Sequence, residues 1–196
     1  CHRFIEISEF YYCCCGKMLN ISDIARDADI SQKQAKDWLG ILETLGIIFY
    51  LHPYSNNLLK RLVKTPKLYF YDMGLVCYLT KWSSAETLES GAMNGAVLEN
   101  YVVAEIMKTY LNSGKEPFMY YYRDKDAKEI DIVLEHDGVL NPLEIKKSSN
   151  PGTELVKVFD LLDKSSTPRS KGAVLCMKPE LSAIDRDNYI IPIWMI

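Results

Sequence analysis

Residues 129–147 read EIDIVLEHDGVLNPLEIKK, and their pattern predicts a β-hairpin in the C-terminal part of the chain. Apolar and charged residues alternate on both sides of Asp137-Gly138, a dipeptide typical of a two-residue β-hairpin turn of type I′. With these two residues at the centre of the turn, Asp131 lies directly opposite Glu144. A slip by one residue would mix the apolar and charged faces, so the pattern favours this register.

Two carboxylates opposed in this way call for a cation. Directly opposed side chains have Cβ atoms about 4.5–5.5 Å apart, and like charges there are destabilising. Hard oxygen ligands at that spacing suit Mg²⁺ or Mn²⁺. By the same register Glu129 lies opposite Lys146, and Lys146 shares the charged face with Glu144. A lysine beside such a pair is typical of metal-assisted phosphodiester hydrolysis, where it orients or deprotonates a water or neutralises charge.

The segments around this hairpin predict a mixed α/β arrangement. Apolar periodicity predicts helices over residues 96–111 and 153–162. β-prone runs predict strands over 117–123, 128–135, 139–147, 172–177 and 189–194. The order is therefore α-β-β-β-α-β(β). Pro142 requires an edge strand or a bulge, because it has no N–H to donate.

Glu99 is a third candidate acid. It lies at the border of the apolar face of the 96–111 helix, where an unpaired carboxylate is costly. A metal site is one partner for it, and an ordinary salt bridge or a solvated position is the other. On this fact alone the salt bridge or the solvated position is favoured over the metal site.

The N-terminal part predicts helices followed by a β-ribbon. A helix is expected over residues 4–15, and Asn20 or Ser22 caps a short helix that ends near Asp29. Ser31 then begins a longer amphipathic helix that Gly46 closes. β-runs over 47–51 and 67–71 complete a winged-helix pattern.

DNA binding and protein packing both fit this N-terminal unit. The helix that would enter a DNA groove carries Lys33 and Lys36 but also Asp37 and Glu43, whereas a dedicated DNA reader is usually more basic. The residues expected to face phosphates are Lys60, Arg61, Lys64 and Lys67, followed in the C-terminal part by Arg123, Lys125, Lys128, Lys146 and Lys147.

Composition excludes several classes of protein. The chain has 196 residues with 48% hydrophobic and 25% charged residues, which is ordinary globular composition, and its net charge is −3. No apolar run approaches the roughly 20 residues of a bilayer span, so no membrane partner is expected. The chain begins with Cys1 rather than Met and shows no signal peptide, so we interpret it as a fragment of a longer protein.

The cysteines predict a cytoplasmic location. Six cysteines are present without a C-x-x-C pair, and the histidines lie far apart in sequence, so the spacing disfavours a structural zinc site. Cys13, Cys14 and Cys15 are adjacent, and we interpret them as packing residues.

These residues resemble the PD-(D/E)xK nuclease superfamily. The resemblance rests on Glu99, Asp131 and Glu144-x-Lys146 in α-β-β-β-α-β order. Nearly the whole chain also resembles the C-terminal half of a prokaryotic AAA+-type ATPase family whose last domain has no known function. The matching stretches are Lys64–Gly74, Gly95–Asn100, Tyr121–Arg123 and the hairpin.

The resemblance implies a metal site and a domain order. Asp131, Glu144 and Glu99 would bind Mg²⁺ or Mn²⁺, and Lys146 would be catalytic. A winged-helix domain over residues 1–80, a connector over 81–94 and a restriction-endonuclease-like domain over 95–196 would follow a P-loop ATPase domain.

This chain itself has no P-loop, so ATP and any oligomer are expected to belong to that ATPase domain. Ile130 stands where the superfamily motif has proline, a departure that does not exclude activity.

Three functions remain open from sequence. The first is a metal-dependent nuclease domain tethered to an ATPase. The second is an inactive module that binds nucleic acid or protein and regulates that ATPase. The third is a structural lid or an oligomerisation domain. The acidic net charge favours the second, and the intact set of Glu99, Asp131, Glu144 and Lys146 favours the first.

Overall fold

The computed structural model describes residues 16–56 and 65–196. Several expectations fall outside the described residues: the helix over 4–15, the cysteines Cys13, Cys14 and Cys15, and the basic residues Lys60, Arg61 and Lys64.

The described residues form a mixed α/β fold, as predicted. The helices are α1 Ile21–Asp27, α2 Gln32–Thr44, α3 Met73–Leu79, α4 Ala85–Ser90 and α5 Asn94–Asn112, with 3₁₀ helices at Thr153–Lys164 and Ile193–Met195. The strands are β1 Ile48–Pro53, β2 Lys67–Phe70, β3 Met119–Arg123, β4 Glu129–His136, β5 Val139–Lys146, β6 Gly172–Cys176, β7 Ser182–Ala183 and β8 Asn188–Pro192.

Within the described residues these strands form one eight-stranded mixed sheet in the order β2-β1-β3-β4-β5-β6-β8-β7. β1 runs parallel to β3, and β5, β6 and β8 are parallel neighbours. β4 is antiparallel to both β3 and β5, so β3 and β5 run in the same direction. The carboxyl ends of β1, β3 and β5 therefore lie at one edge of the sheet.

The first of two compact units holds the described residues 16–50 and 65–104. Asn20 caps α1, and Ser31 forms a capping box with Gln34 at the start of α2, as the sequence predicts. Gly46 follows α2 with a φ of 67°, the left-handed conformation that suits glycine after a helix. The core of this unit consists of Ile24, Ala25, Ala35, Leu39, Ile48, Leu68, Phe70, Val76 and Val97.

The second unit holds the described residues 51–56 and 105–196. The helix predicted over 153–162 is present, but it is a 3₁₀ helix, and it buries Val156, Phe159 and Leu162. Their spacing of three matches the three residues per turn of a 3₁₀ helix. These side chains pack with Tyr54, which follows β1, and with a sheet face that carries Ile130, Val133, Leu140, Val174, Cys176 and Ile190.

Some elements differ from the sequence predictions. The segment 81–94, predicted as a polar connector, contains α4, which Ser84 caps by accepting the N–H of Thr87. β7 was not predicted, since two residues are too few to show a periodicity. The pairing of β1 with β3 was also not predicted, because it joins residues far apart in sequence.

Pro142 lies in an interior strand, and the β4–β5 register runs through it without a shift, so the expectation of an edge strand or a bulge is wrong. It pairs with Val133 on β4. On the other side of β5, the backbone of Leu140 bonds to residues 168 and 170, and the ladder with β6 begins only at Leu143. The missing N–H of Pro142 therefore falls in a gap between two paired stretches.

Among the described residues, no helix combines the length and the apolar character that crossing a bilayer requires.

Candidate metal centre

The β4–β5 hairpin has the predicted turn and register. Asp137 and Gly138 have φ values of 50° and 74°, and a type I′ turn requires both to be positive. The paired residues run from His136–Val139 to Ile132–Leu143, as predicted. The ladder ends there, one position before Asp131 would pair with Glu144.

A β-bulge explains why the ladder ends at this point. Between the pairs Tyr120–Val133 and Tyr122–Ile130, β4 has two residues where β3 has one, and Asp131 is the first of these two. A bulge bends its strand, disrupts the local pairing and re-aims a side chain.

Because of the bulge, the predicted alternation of side chains between the two faces of β4 is wrong at this point. Ile130 and Ile132 were expected to share a face. Instead Ile130 packs with Val133 in the core beside the 3₁₀ helix, because the extra residue reverses the alternation between them.

The side chain of Asp131 replaces a backbone hydrogen bond that is missing beside the bulge. Its Oδ2 accepts the backbone N–H of Ile145 at 2.8 Å. In a regular ladder this N–H would bond to a carbonyl of β4. The carboxylate of Asp131 therefore lies between β4 and β5. Sequence reasoning missed Ile145, because it contributes through its backbone and its residue type carries no signal.

Glu144 is a buried carboxylate with an unmet polar atom. The residue is 7% exposed, and its Oε1 accepts a hydrogen bond from Lys146 Nζ at 2.6 Å. Its Oε2 is buried and has no hydrogen-bond partner within the part of the chain that the structure describes. Burial raises the pKa of Glu144, against the opposing effects of Lys146 and of the backbone N–H of Asp131. The salt bridge with Lys146 therefore satisfies only Oε1 of Glu144.

The ladder between β4 and β5 ends before it reaches Glu129 and Lys146, which were expected to face each other. Glu129 pairs across the strands with Arg123 and forms an ion pair with it at 3.2 Å, while Lys146 turns to Glu144. The side chain of Lys146 is 38% exposed, so it reaches solvent from a buried carboxylate. The predicted sharing of one face by Glu144 and Lys146 agrees with this contact.

Glu99 lies in the first unit and is held by two side chains of β2. Its Oε1 accepts hydrogen bonds from Tyr69 Oη at 2.7 Å and from Lys67 Nζ at 3.2 Å. Lys67 is 2% exposed, so this predicted phosphate contact is a buried ion-pair partner. A Cβ on Gly16 would lie 3.1 Å from Glu99 Oε1, so glycine leaves room for the carboxylate.

Asn100 links the helix α5 to strand β2 by hydrogen bonds. It is fully buried, and its side-chain amide accepts the N–H of Phe70 and donates to the C=O of Phe70, both at 2.8 Å. Both backbone groups at the end of β2 are thereby satisfied.

No group of three or more His, Cys, Asp or Glu side chains within residues 16–56 and 65–196 is placed so that it could hold a metal ion. Asp131 and Glu144 are a pair of candidate ligands. Metal binding by Glu99, Asp131 and Glu144 stays a prediction, as does contact of Arg123 and Lys147 with nucleic acid.

Replacing Glu99 tests whether its role is structural. In Glu99→Gln the charge that faces buried Lys67 is lost, and we expect the free energy of unfolding to fall by roughly 3 kcal/mol, because removing one partner of a buried pair leaves a buried charge. Urea denaturation measures this. Glu105→Gln on the same helix is the control, with an expected loss below about 1 kcal/mol, because the Glu105–Lys108 pair is partly exposed. Equal losses in the two variants would contradict the structural role.

Glu144 should make stability depend on pH in the absence of divalent cations. Because its folded-state pKa is raised, the folded chain binds this proton more tightly than the unfolded chain. The free energy of unfolding therefore falls as the pH rises from the ordinary pKa of a glutamate through the raised pKa of Glu144. Glu144→Gln removes this dependence, so its stability relative to wild type should rise with pH over that interval.

Urea denaturation in EDTA at a series of pH values measures the effect. Asp137→Asn is the matched control, because it makes the same carboxylate-to-amide change at the exposed turn of the same hairpin. An identical pH dependence in wild type and Glu144→Gln would contradict the assignment.

Comparison with known proteins identifies families along the chain. Residues 94–196 match the family model described as "Domain of unknown function (DUF4143)", and residues 2–86 match "Domain of unknown function (DUF8612)". The uncharacterized proteins Rv2008c of Mycobacterium tuberculosis and Mb2031c of Mycobacterium bovis are each 28% identical to the chain over 136 residues.

The matched stretch covers 69% of this chain but only 30% of each mycobacterial relative. No solved structure matches the chain. Because the first family model matches more than half of the chain, the chain belongs to the DUF4143 family.

Proposed function

We propose that the second unit is a divalent-cation-dependent phosphodiesterase domain that acts on nucleic acid. The observation that carries this proposal is the buried Oε2 of Glu144, which has no hydrogen-bond partner within the described residues and lies on the strand next to Asp131. A buried carboxylate oxygen without a partner is costly, and a cation would offset that cost. Carboxylate oxygens are the ligands that Mg²⁺ and Mn²⁺ prefer.

Each residue of the pair has a defined task in this proposal. Asp131 and Glu144 hold the cation, and the N–H of Ile145 fixes the orientation of Asp131. When bound, the cation supplies Lewis-acid polarisation of a phosphoryl oxygen and lowers the pKa of a bound water. Lys146 presents its partly exposed ammonium group to the phosphate and neutralises charge there. Glu99 is left out of this ligand set, because Lys67 and Tyr69 hold it.

A specific observation favours a second candidate, an inactive binding module. Lys146 Nζ lies 2.6 Å from Glu144 Oε1, and no third ligand joins the pair within the described residues. With such a pair the domain would keep its fold but would not catalyse phosphodiester hydrolysis. The module would then bind nucleic acid or a protein and regulate a linked domain.

A link to a P-loop ATPase, with a winged helix between the two, is part of both candidates. It follows from the resemblance of the chain to an AAA+-type family. The length of the mycobacterial relatives supports it, because the match covers only 30% of each. These relatives therefore have ample length for a further domain.

A cleavage assay separates the two candidates. We expect the chain to cleave at least one of supercoiled DNA, linear duplex, single-stranded DNA and RNA when Mg²⁺ or Mn²⁺ is present. Asp131→Asn and Lys146→Met should each lower the rate by roughly a hundredfold or more, because the first removes a ligand of the cation and the second removes the charge that faces the phosphate. Gel electrophoresis of time courses measures this.

Asp137→Asn is the control, and it should cleave at the wild-type rate because its carboxylate lies at the far end of the hairpin. Two results would contradict the proposal: no cleavage of any substrate with either metal, or full activity in Asp131→Asn.

A further inference from the structure

A cavity of about 500 Å³ lies in the second unit, between the segment after β1, the end of β3 and the last turn of the long 3₁₀ helix. This volume is within the roughly 300–1,000 Å³ of typical small-ligand sites. Its aromatic and aliphatic lining residues are Tyr54, Tyr122, Leu161 and Leu162, of which Tyr122 and Leu161 are partly exposed while Tyr54 and Leu162 are buried. A partly exposed aromatic side chain such as Tyr122 suits a nucleobase, which presents a π-face whatever its identity.

Cationic side chains also line this cavity. They are Arg123, Lys125 and Lys164. Arg123 is ion-paired with Glu129, whereas Lys125 and Lys164 are exposed and form no ion pair in the described part of the chain. The two lysines are therefore able to face an incoming phosphate.

Two acidic residues, Asp124 and Asp126, also line the cavity, and neither forms an ion pair with Lys125 or Lys164 in the described part of the chain. Asp124 uses its Oδ1 to accept the backbone N–H groups of Asp126 and Lys128, so its carboxylate is committed to its own turn. The cavity thus combines a partly exposed tyrosine and two carboxylates with two lysines that form no ion pair among the described residues.

Hydrogen bonds fix the walls of the cavity. Ser165 donates to Asn56 Oδ1 at 2.7 Å, and its hydroxyl lies 3.3 Å from that of Tyr54. These contacts tie the segment after β1 to the end of the 3₁₀ helix. The cavity is therefore formed before any ligand arrives, which lowers the entropic cost of binding.

The cavity and the carboxylate pair share a face and an edge of the sheet. Glu144 and Lys146 pair with Val174 and Cys176, and these two belong to the core that packs against the 3₁₀ helix. Tyr122 packs against the same core. β3 and β5 are separated only by β4, so the two sites lie about two strand spacings apart, roughly 10 Å.

We propose that this cavity receives an unpaired nucleotide of a single-stranded nucleic acid next to the carboxylate pair. The inference rests on the proposed function, because it names the form of substrate on which that site acts. A base inside a duplex is stacked and paired, and it enters such a cavity only after it leaves the stack. A single strand offers its bases without that cost.

Binding without cleavage tests the cavity directly. Fluorescence anisotropy with a short fluorescein-labelled oligo(dT) in EDTA should show tighter binding than with a labelled duplex of the same length. Lys125→Ala and Lys164→Ala should each weaken binding. Each should also reduce the slope of log K against log salt by about 0.7, the value for one lost phosphate contact on a single strand.

Lys157→Ala is the matched control, because Lys157 is exposed on the same 3₁₀ helix and does not line the cavity. It should keep the wild-type affinity and slope. Three results would overturn the inference: no binding of oligo(dT), equal binding of the duplex, or cavity variants that behave like Lys157→Ala.

A cleavage assay on the same variants distinguishes failure of the cavity proposal from failure of the phosphodiesterase proposal. If the expected binding pattern holds but no substrate is cleaved with Mg²⁺ or Mn²⁺, the phosphodiesterase proposal fails and the cavity assignment stands. If cleavage occurs at equal rates on single strands and duplexes, and the two lysine variants keep the wild-type KM, the cavity assignment fails alone.

Discussion

The hydrogen bond from the N–H of Ile145 to Asp131 Oδ2 is the contact on which the candidate site depends. It forms where a bulge in β4 ends the regular ladder with β5. Without that bond, the backbone N–H of Ile145 would be left unsatisfied at the point where the regular ladder ends. With it, Asp131 is fixed between the strands, and Glu144 is buried on the next strand with one oxygen left without a protein partner among the described residues. The bulge in β4 therefore positions Asp131 for the candidate site.

The sequence predicts the hairpin well because the determinants are local. Asp137 and Gly138 accept positive φ, so they fix the turn, and the apolar pattern then fixes which residues face each other. The bulge escapes such reasoning, because it is defined by how β4 pairs with β3 and not by any residue within the hairpin. The contribution of Ile145 escapes for a second reason, since any non-proline residue supplies the same N–H. The cavity beside the site also depends on long-range pairing, because it forms only when β1 adds to β3.

The same distinction applies to the first unit. The caps at Asn20 and Ser31 and the helices they begin are readable from short spacings. Glu99 at the border of an apolar face signals that a partner is needed, but Lys67 lies on another element and its burial is visible only in the fold. The resemblance to a nuclease superfamily grouped Glu99 with the metal ligands. In the structure Glu99 accepts hydrogen bonds from side chains of β2 and Asn100 bonds to the backbone of β2, and metal binding by Glu99 stays a prediction.

Paramagnetic NMR tests whether Asp131 and Glu144 form a divalent-cation site. Titration of the ¹⁵N-labelled chain with Mn²⁺, with Mg²⁺ as the diamagnetic reference, should broaden the backbone amide signals of Asp131, Ile145 and Lys146 first. The Glu144→Gln variant should lose this selective broadening. Broadening centred on exposed carboxylates such as Asp160 and Asp163, or an unchanged pattern in the variant, would contradict the account.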